Sequence, residues 1–102
     1  MKIYKVQIKN AALYDLYSVE RFIETKNTLI AAEIFISNLQ KELNSLSYLA
    51  DVIKKSDFET AKQYNKKAKV FITKNRKWSI IFHTFRNFVV VDRIIPAKMM
   101  TH

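Results

Sequence analysis

The groups in this sequence that are suited to chemistry are two histidines and an unevenly placed set of cations; there is no cysteine. His83 lies in the run Trp78-Ser79-Ile80-Ile81-Phe82-His83, where strand alternation sets it beside Ser79 and Lys77. An imidazole moves protons near neutral pH, so His83 is one candidate for proton transfer, and His102, the last residue of the sequence, is the other. Arg76 and Lys77 form one cationic cluster, Arg86 stands in a second break, and Arg93 and Lys98 lie either side of Pro96. These five are candidates for gripping a phosphate or a partner's carboxylate, with arginine able to do so two-pronged. Each has an ordinary alternative. A lone strand histidine commonly packs, Arg93 is as apt to pair with a carboxylate of its own chain, and basic runs commonly form solvated faces. Trp78 and Tyr64 are suited to stacking on bases, but the alternation assigns Trp78 to the core.

Composition removes several classes of function. Glycine is absent, which excludes the glycine-rich phosphate loops of the Walker and Rossmann kinds and leaves turns to Asn, Asp, Lys and Ser, with asparagine best able to take positive φ. Without cysteine there are no disulfides, zinc-thiolate sites or thiol nucleophiles. Two histidines at no ligand spacing predict no metal, and no cofactor is expected. No apolar run approaches the length of a membrane span, and the first residues lack the apolar centre of a signal peptide. A cytoplasmic protein of one domain, 1–102, is expected. Its net charge of +9 is one-sided: Lys54 to Lys98 holds 12 Lys and Arg against 3 acids, while the remainder has 6 of each. Such a cationic half fits an anionic partner, either nucleic acid or an acidic protein segment.

The elements that must position these residues follow from periodicity. Ile3 to Ile8 alternates as a strand, and Asn10 is placed to cap a helix over 11–25, whose Ala12, Leu16, Val19 and Ile23 share one face. A short break, with Thr28 or Asn27 as cap, leads to a longer helix from Leu29 to about Ala50, striped by Ala32, Phe35, Ile36, Leu39, Leu43 and Leu46. The segment 50–67 reads either as a short helix capped by Asp57 or as an irregular connection. From Lys69 to Ile95, three β-rich runs separated by Lys74-Asn75 and Arg86-Asn87 predict an antiparallel meander, ended by Pro96. The Val89-Val90-Val91 run marks a central strand. The expected fold is α+β and two-layered: β-α-α-β-β-β, with a mostly antiparallel sheet packed on a helical hairpin and its other face more exposed. In that arrangement Lys77, Arg93 and Lys98 are candidates to converge near the exposed sheet surface.

This order of elements, with these residues, resembles the RelE/ParE superfamily of type II toxin–antitoxin systems. Tyr4-Lys5-Val6 is similar to its opening strand. Ala12, Asp15-Leu16, Val19 and Phe22-Ile23 are similar to its first helix, and Ala31-Ala32, Leu39 and Leu46 to its second. Trp78-Ser79-Ile80-Ile81-Phe82 and Val89-Val90-Val91-Asp92-Arg93-Ile94-Ile95 resemble its third and last strands. The resemblance implies a toxin of the plasmid-stabilisation, growth-inhibiting kind, neutralised by a cognate antitoxin. Its target is either DNA gyrase, as for ParE-like members, or the ribosome and mRNA, as for RelE-like members. The RelE-like alternative is a metal-independent endoribonuclease; a further alternative is a non-toxic basic module that binds nucleic acid or protein. Two departures bear on the choice. Ser79 stands where an arginine is common, and Pro96-Ala97-Lys98 replaces a His-Gly-Arg segment. They deplete the residues expected of an mRNA-cleaving site, so ParE-like or unassigned action is the expectation.

Overall fold

A computed structural model describes residues 2–100. The elements, in chain order, are β1 (Lys5–Ile8), α1 (Asn10–Lys26), α2 (Leu29–Leu49), the single turn α3 (Glu59–Lys62), β2 (Lys69–Ile72), β3 (Trp78–Phe85) and β4 (Phe88–Pro96), followed by a 3-10 turn at Ala97–Met99. This is the expected α+β arrangement of a mostly antiparallel sheet on a helical hairpin. The sheet order is β1-β4-β3-β2. The meander supplies the two antiparallel pairings, β2–β3 and β3–β4, the α1–α2 hairpin carries the chain from β1 across to β2, and β1 lies parallel to β4, with Val6 opposite Val89 and Ile8 opposite Val91. Strand β4 is therefore central, as its valine run predicts.

The main core lies between the hairpin and one face of the sheet. Ala12 and Leu16 of α1 and Leu39, Leu43 and Leu46 of α2 are buried against Ile80, Phe82, Val89, Val91 and Ile94. Thr28 caps α2 as expected, its hydroxyl accepting from the Ala31 N–H at 3.0 Å. At the start of α1 the cap position falls on Lys9, which makes no side-chain cap, and Asn10 is already helical. The C-terminus of α2 is closed by Lys69, whose Nζ donates to the Ala50 carbonyl at 2.6 Å, a cation where the helix dipole favours one. Tyr4 also joins this core. Its N–H bonds the Ser47 carbonyl, and its hydroxyl donates to Asp51 Oδ1 at 2.7 Å.

The second face of the sheet is covered over part of its area, more than the alternation suggests. After α2 the chain makes a bridge between Lys55 and Lys69, and the Ser56 N–H donates to the Ala68 carbonyl. Ala61 and Ala68 then pack directly on Ile81 and Ile95, with Phe58, Val70 and Met100 around them. Two alanines allow this close approach. The α3 turn starts after Phe58, not after an Asp57 cap; the Ser56 hydroxyl accepts from the Phe58 N–H at 3.0 Å. Trp78 is half-buried, its ring meeting Phe35 edge-on at 5.8 Å, so its place is at the margin of the core.

Both hairpin turns bend through positive φ at an arginine, Arg76 at 62° and Arg86 at 56°, and not at the asparagines beside them. Asn75 works through its side chain instead: its Oδ1 accepts from the Thr73 hydroxyl at 2.7 Å and the Lys77 N–H at 3.0 Å. That leaves the left-handed position to Arg76.

Two outcomes test this packing. Leu46 is fully buried, so Leu46→Ala is expected to lower unfolding stability by about 2–5 kcal/mol in urea titration, whereas the same change at exposed Leu29 is expected to stay within about 0.5 kcal/mol. The bond to Asp51, then burial, pushes the Tyr4 hydroxyl pKa up. A raised folded pKa means stability that is complete below the unfolded value of about 10 and lost as pH rises through the folded one. Wild type should therefore lose stability above pH 10 more steeply than Tyr4→Phe does, as read by denaturation at stepped pH.

Candidate functional site

Two ionic clusters flank an irregularity in β4. Ile81 pairs with Arg93 and Phe82 with Val91, so Asp92 is an extra residue and the strand bulges there. On the α1 side, Arg93 meets Asp15 two-pronged: Nε to Oδ2 at 2.6 Å and Nη2 to Oδ1 at 2.8 Å. Asp15 Oδ2 also accepts from the backbone N–H of Ile94 at 2.9 Å. The third arm of the guanidinium, Nη1, donates to the Tyr64 hydroxyl at 3.2 Å, and its centre lies 5.9 Å from the Tyr64 ring. The bond to Asp15 is the largest cause raising the Arg93 pKa above its already high ordinary value. Arg93 thus joins α1 to the segment covering the second face.

Beside this clasp runs an open groove of about 320 Å³, lined by Val19, Phe22, Trp78, Ile94 and Met99, with Asp15 and Arg93 at its wall. Phe22 and Met99 expose more than half of their surface.

The second cluster centres on Asp92, whose side chain is 1% exposed. His83 Nδ1 lies 2.7 Å from Asp92 Oδ2, and Lys9 Nζ lies 2.9 Å from Oδ1. A carboxylate paired with lysine accepts only, so His83 Nδ1 donates to it. A pocket of about 370 Å³ opens there, lined by Asn65, Lys66, Lys67, His83, Thr84 and Phe85.

The remaining sequence candidates fall at two ends of the sheet. The Ala97 N–H donates to the Lys77 carbonyl, so Arg76, Lys77 and Lys98 gather at one end. Arg86 sits at the other end of the eight-residue β3, about 26 Å away at the usual strand rise. Arg93 lies four residues before Ala97, about 13 Å along β4, with its guanidinium held by Asp15. It shares the lining of one groove with Trp78, Pro96 and Met99, which lie beside Lys77 and Lys98 in the chain. His102 is outside the described residues. Ser79, in the position where the resembled family commonly has arginine, is fully buried.

The sequence reading did not single out Asp15 or Asp92 as partners. One signal was available for Asp92: across a two-residue hairpin loop, the lone acid of β4 falls diagonal to the lone histidine of β3. No comparable signal links Asp15 to Arg93, 78 residues apart.

No protein-family model matches the chain, and no curated protein sequence does. Among solved structures, a chain of the chromosomal ParDE TA system from P. aeruginosa superposes with a TM-score of 0.76, over 92% of this chain and 96% of that one. The fold is RelE/ParE-like. Sequence identity is 11%, so what is shared is the arrangement of elements, as the sequence resemblance implies.

The clasp gives a direct test. Asp15→Ala strands the Ile94 N–H and the guanidinium together, and is expected to cost about 1–3 kcal/mol in urea unfolding. In a double-mutant cycle with Arg93→Ala the coupling should be at least about 0.5 kcal/mol; additive losses would mean that the pair is not coupled.

Proposed function

We propose that this protein is the toxin component of a type II toxin–antitoxin module of the plasmid-stabilisation kind, held inactive by a cognate antitoxin. The observation that carries this reading is the nearly full-length likeness in fold to a chain of a ParDE TA system. The +9 net charge supports it by suiting an acidic or amphipathic partner. The groove beside Arg93 is the surface we assign to the antitoxin. Its exposed Phe22 and Met99 offer apolar anchors beside an ionic pair, the combination that fits an amphipathic segment.

For the target, we favour ParE-like or unassigned action over ribosome-dependent mRNA cleavage. A nuclease of that kind stabilises developing phosphorane charge with free cations. Here Ser79 is buried and Arg93 is engaged with Asp15, which removes two of the positions where such cations are expected. Arg76, Lys77, Arg86 and Lys98 are exposed, and they remain the proposed contacts to an anionic target or to the antitoxin.

Controlled expression in a bacterial host tests the reading. Growth is expected to stop, and to resume when an acidic, helix-rich product of an adjacent reading frame is co-expressed. Phe22→Asp with Met99→Asp should still arrest growth but escape that rescue. Unaffected growth, under conditions where an active ParE-like protein arrests it, would refute the toxin assignment. In vitro, loss of gyrase supercoiling supports the ParE-like branch, and A-site cuts in toeprinting would overturn it.

A further inference from the structure

The side of the helical hairpin turned away from the sheet carries apolar surface that the fold does not use. Tyr14 and Tyr17 of α1 and Ile30, Ile34 and Tyr48 of α2 are between 48% and 74% exposed. They stand off the buried stripes of their own helices. Tyr14 is two residues from both Ala12 and Leu16, and Tyr48 is two from Leu46, about 200° round the helix. In a hairpin closed at residues 27–28, Tyr14 and Tyr17 lie level with positions 41 and 38 of α2, so the two sets adjoin. Apolar residues scattered singly are ordinary on a surface, and a patch of five marks a contact.

Charge says what covers it. Residues 10–49 hold five acids and three Lys or Arg, whereas the rest of the chain holds four acids and fifteen Lys or Arg. The hairpin is therefore the region free of the positive excess. Asp15 and Glu42 are already engaged, by Arg93 and by the Lys74 N–H. Beside the apolar patch, exposed Arg21 and Lys41 balance exposed Glu24 and Glu33. An anionic partner finds no net cation there. A second copy of this chain, repelled at +9 from every basic face, meets no net charge there. The sheet edges suit a copy less well: Lys55 bridges to β2 at Lys69, and Lys5 and Lys9 flank the edge of β1.

We propose that this face is a homodimer interface, with two hairpins packed back to back about a two-fold axis. Positions 30, 34, 37 and 41 follow the four-three spacing of a seam between paired helices. With the axis crossing α2 midway between Ile34 and Ser37, Ile30 of each copy meets the Lys41 stem of the other. Lys41 Nζ then reaches the partner subunit's Glu33, and the symmetry makes that ion pair twice. The length of α2 and the width of two helices give a face of about 30 by 20 Å. Two such faces bury about 1,200 Å² in all, the lower bound for a stable interface. The groove beside Arg93 is lined by none of the five patch residues, so each copy keeps it.

Sedimentation velocity of the purified full chain over a range of micromolar concentrations is the test. A species of twice the 12.1 kDa chain mass is expected. Ile30→Glu with Ile34→Glu should raise its dissociation constant about a hundredfold. Both residues are exposed, so the circular dichroism of that variant should not change. Lys41→Glu should weaken the dimer about fivefold, and adding Glu33→Lys should restore it. Phe22→Asp with Met99→Asp, in the groove, should leave it intact. A monomer throughout overturns the proposal, as does a dimer indifferent to the Ile30 and Ile34 changes. So does a mass that keeps growing with concentration, the mark of head-to-tail contact. If Ile30→Glu with Ile34→Glu fails to fold, the exchange at Lys41 and Glu33 still decides: no weakening, or weakening without recovery, overturns the pairing. The face belongs to another protein, and the proposal falls, if the chain is a monomer whose complex with the acidic product of the adjacent reading frame is lost in the Ile30 and Ile34 variant. Growth arrest plays no part in these readouts, so this proposal and the toxin reading fail separately.

Discussion

The carboxylate of Asp15 stands in for a strand that the chain does not have. β1 is four residues long and β4 is nine, so their ladder covers only Phe88 to Val91. The Lys9 N–H closes it on the Val91 carbonyl, and the chain then turns away into α1. Past that point β4 would present an unmatched N–H beneath the first helix, a loss of about 1–3 kcal/mol for a buried donor. Asp15 reaches down from α1 to take the Ile94 N–H, and Arg93 holds the carboxylate in place. One acidic residue thereby sets the height of α1 over the sheet and the floor of the groove beside it. It also explains why Arg93, one of the five cations that the sequence offers for a partner, is already occupied.

The bulge at Asp92 is the second constraint. In unbroken alternation, Val89, Val91 and Arg93 would all face the hairpin. The extra residue moves Ile94 into that place, so Val89, Val91 and Ile94 join the main core and Ile95 turns to the second one. Both ionic clusters grow from the irregular pair: Asp92 meets His83 and Lys9, and Arg93 meets Asp15 and Tyr64.

Periodicity made the scaffold readable. The hairpin stripes, the Thr28 cap, the three-stranded meander and the centrality of the valine run all follow from spacings of 3.6 and 2, because the main core is built from side chains that obey them. The failures have local causes. Asn10 resembles a cap, yet the extended residue before the helix is Lys9. The second face looked open because its cover is two alanines and a single helical turn, too short and too small to leave a periodic trace. Nothing in the alternation of the first strand links Tyr4 to Asp51, and the bond between them spans 47 residues. Candidate site residues were legible as types, and their partners were not. A bulge shifts register by one, and long-range ion pairs leave no pattern in the chain.

Charge shows the same division between what a sequence counts and what a fold arranges. The +9 carried by Lys54 to Lys98 reads as one cationic half. In the fold, Arg76, Lys77 and Lys98 lie at one end of the sheet, while Arg86, Lys66 and Lys67 lie at the other, about 26 Å off along β3. That separation is several Debye lengths at physiological salt, where screening falls off over about 8 Å. The two patches therefore act on a partner independently. A protein segment lying in the groove beside Arg93 would touch only the first, and the second remains open to a separate anionic ligand while that partner is bound.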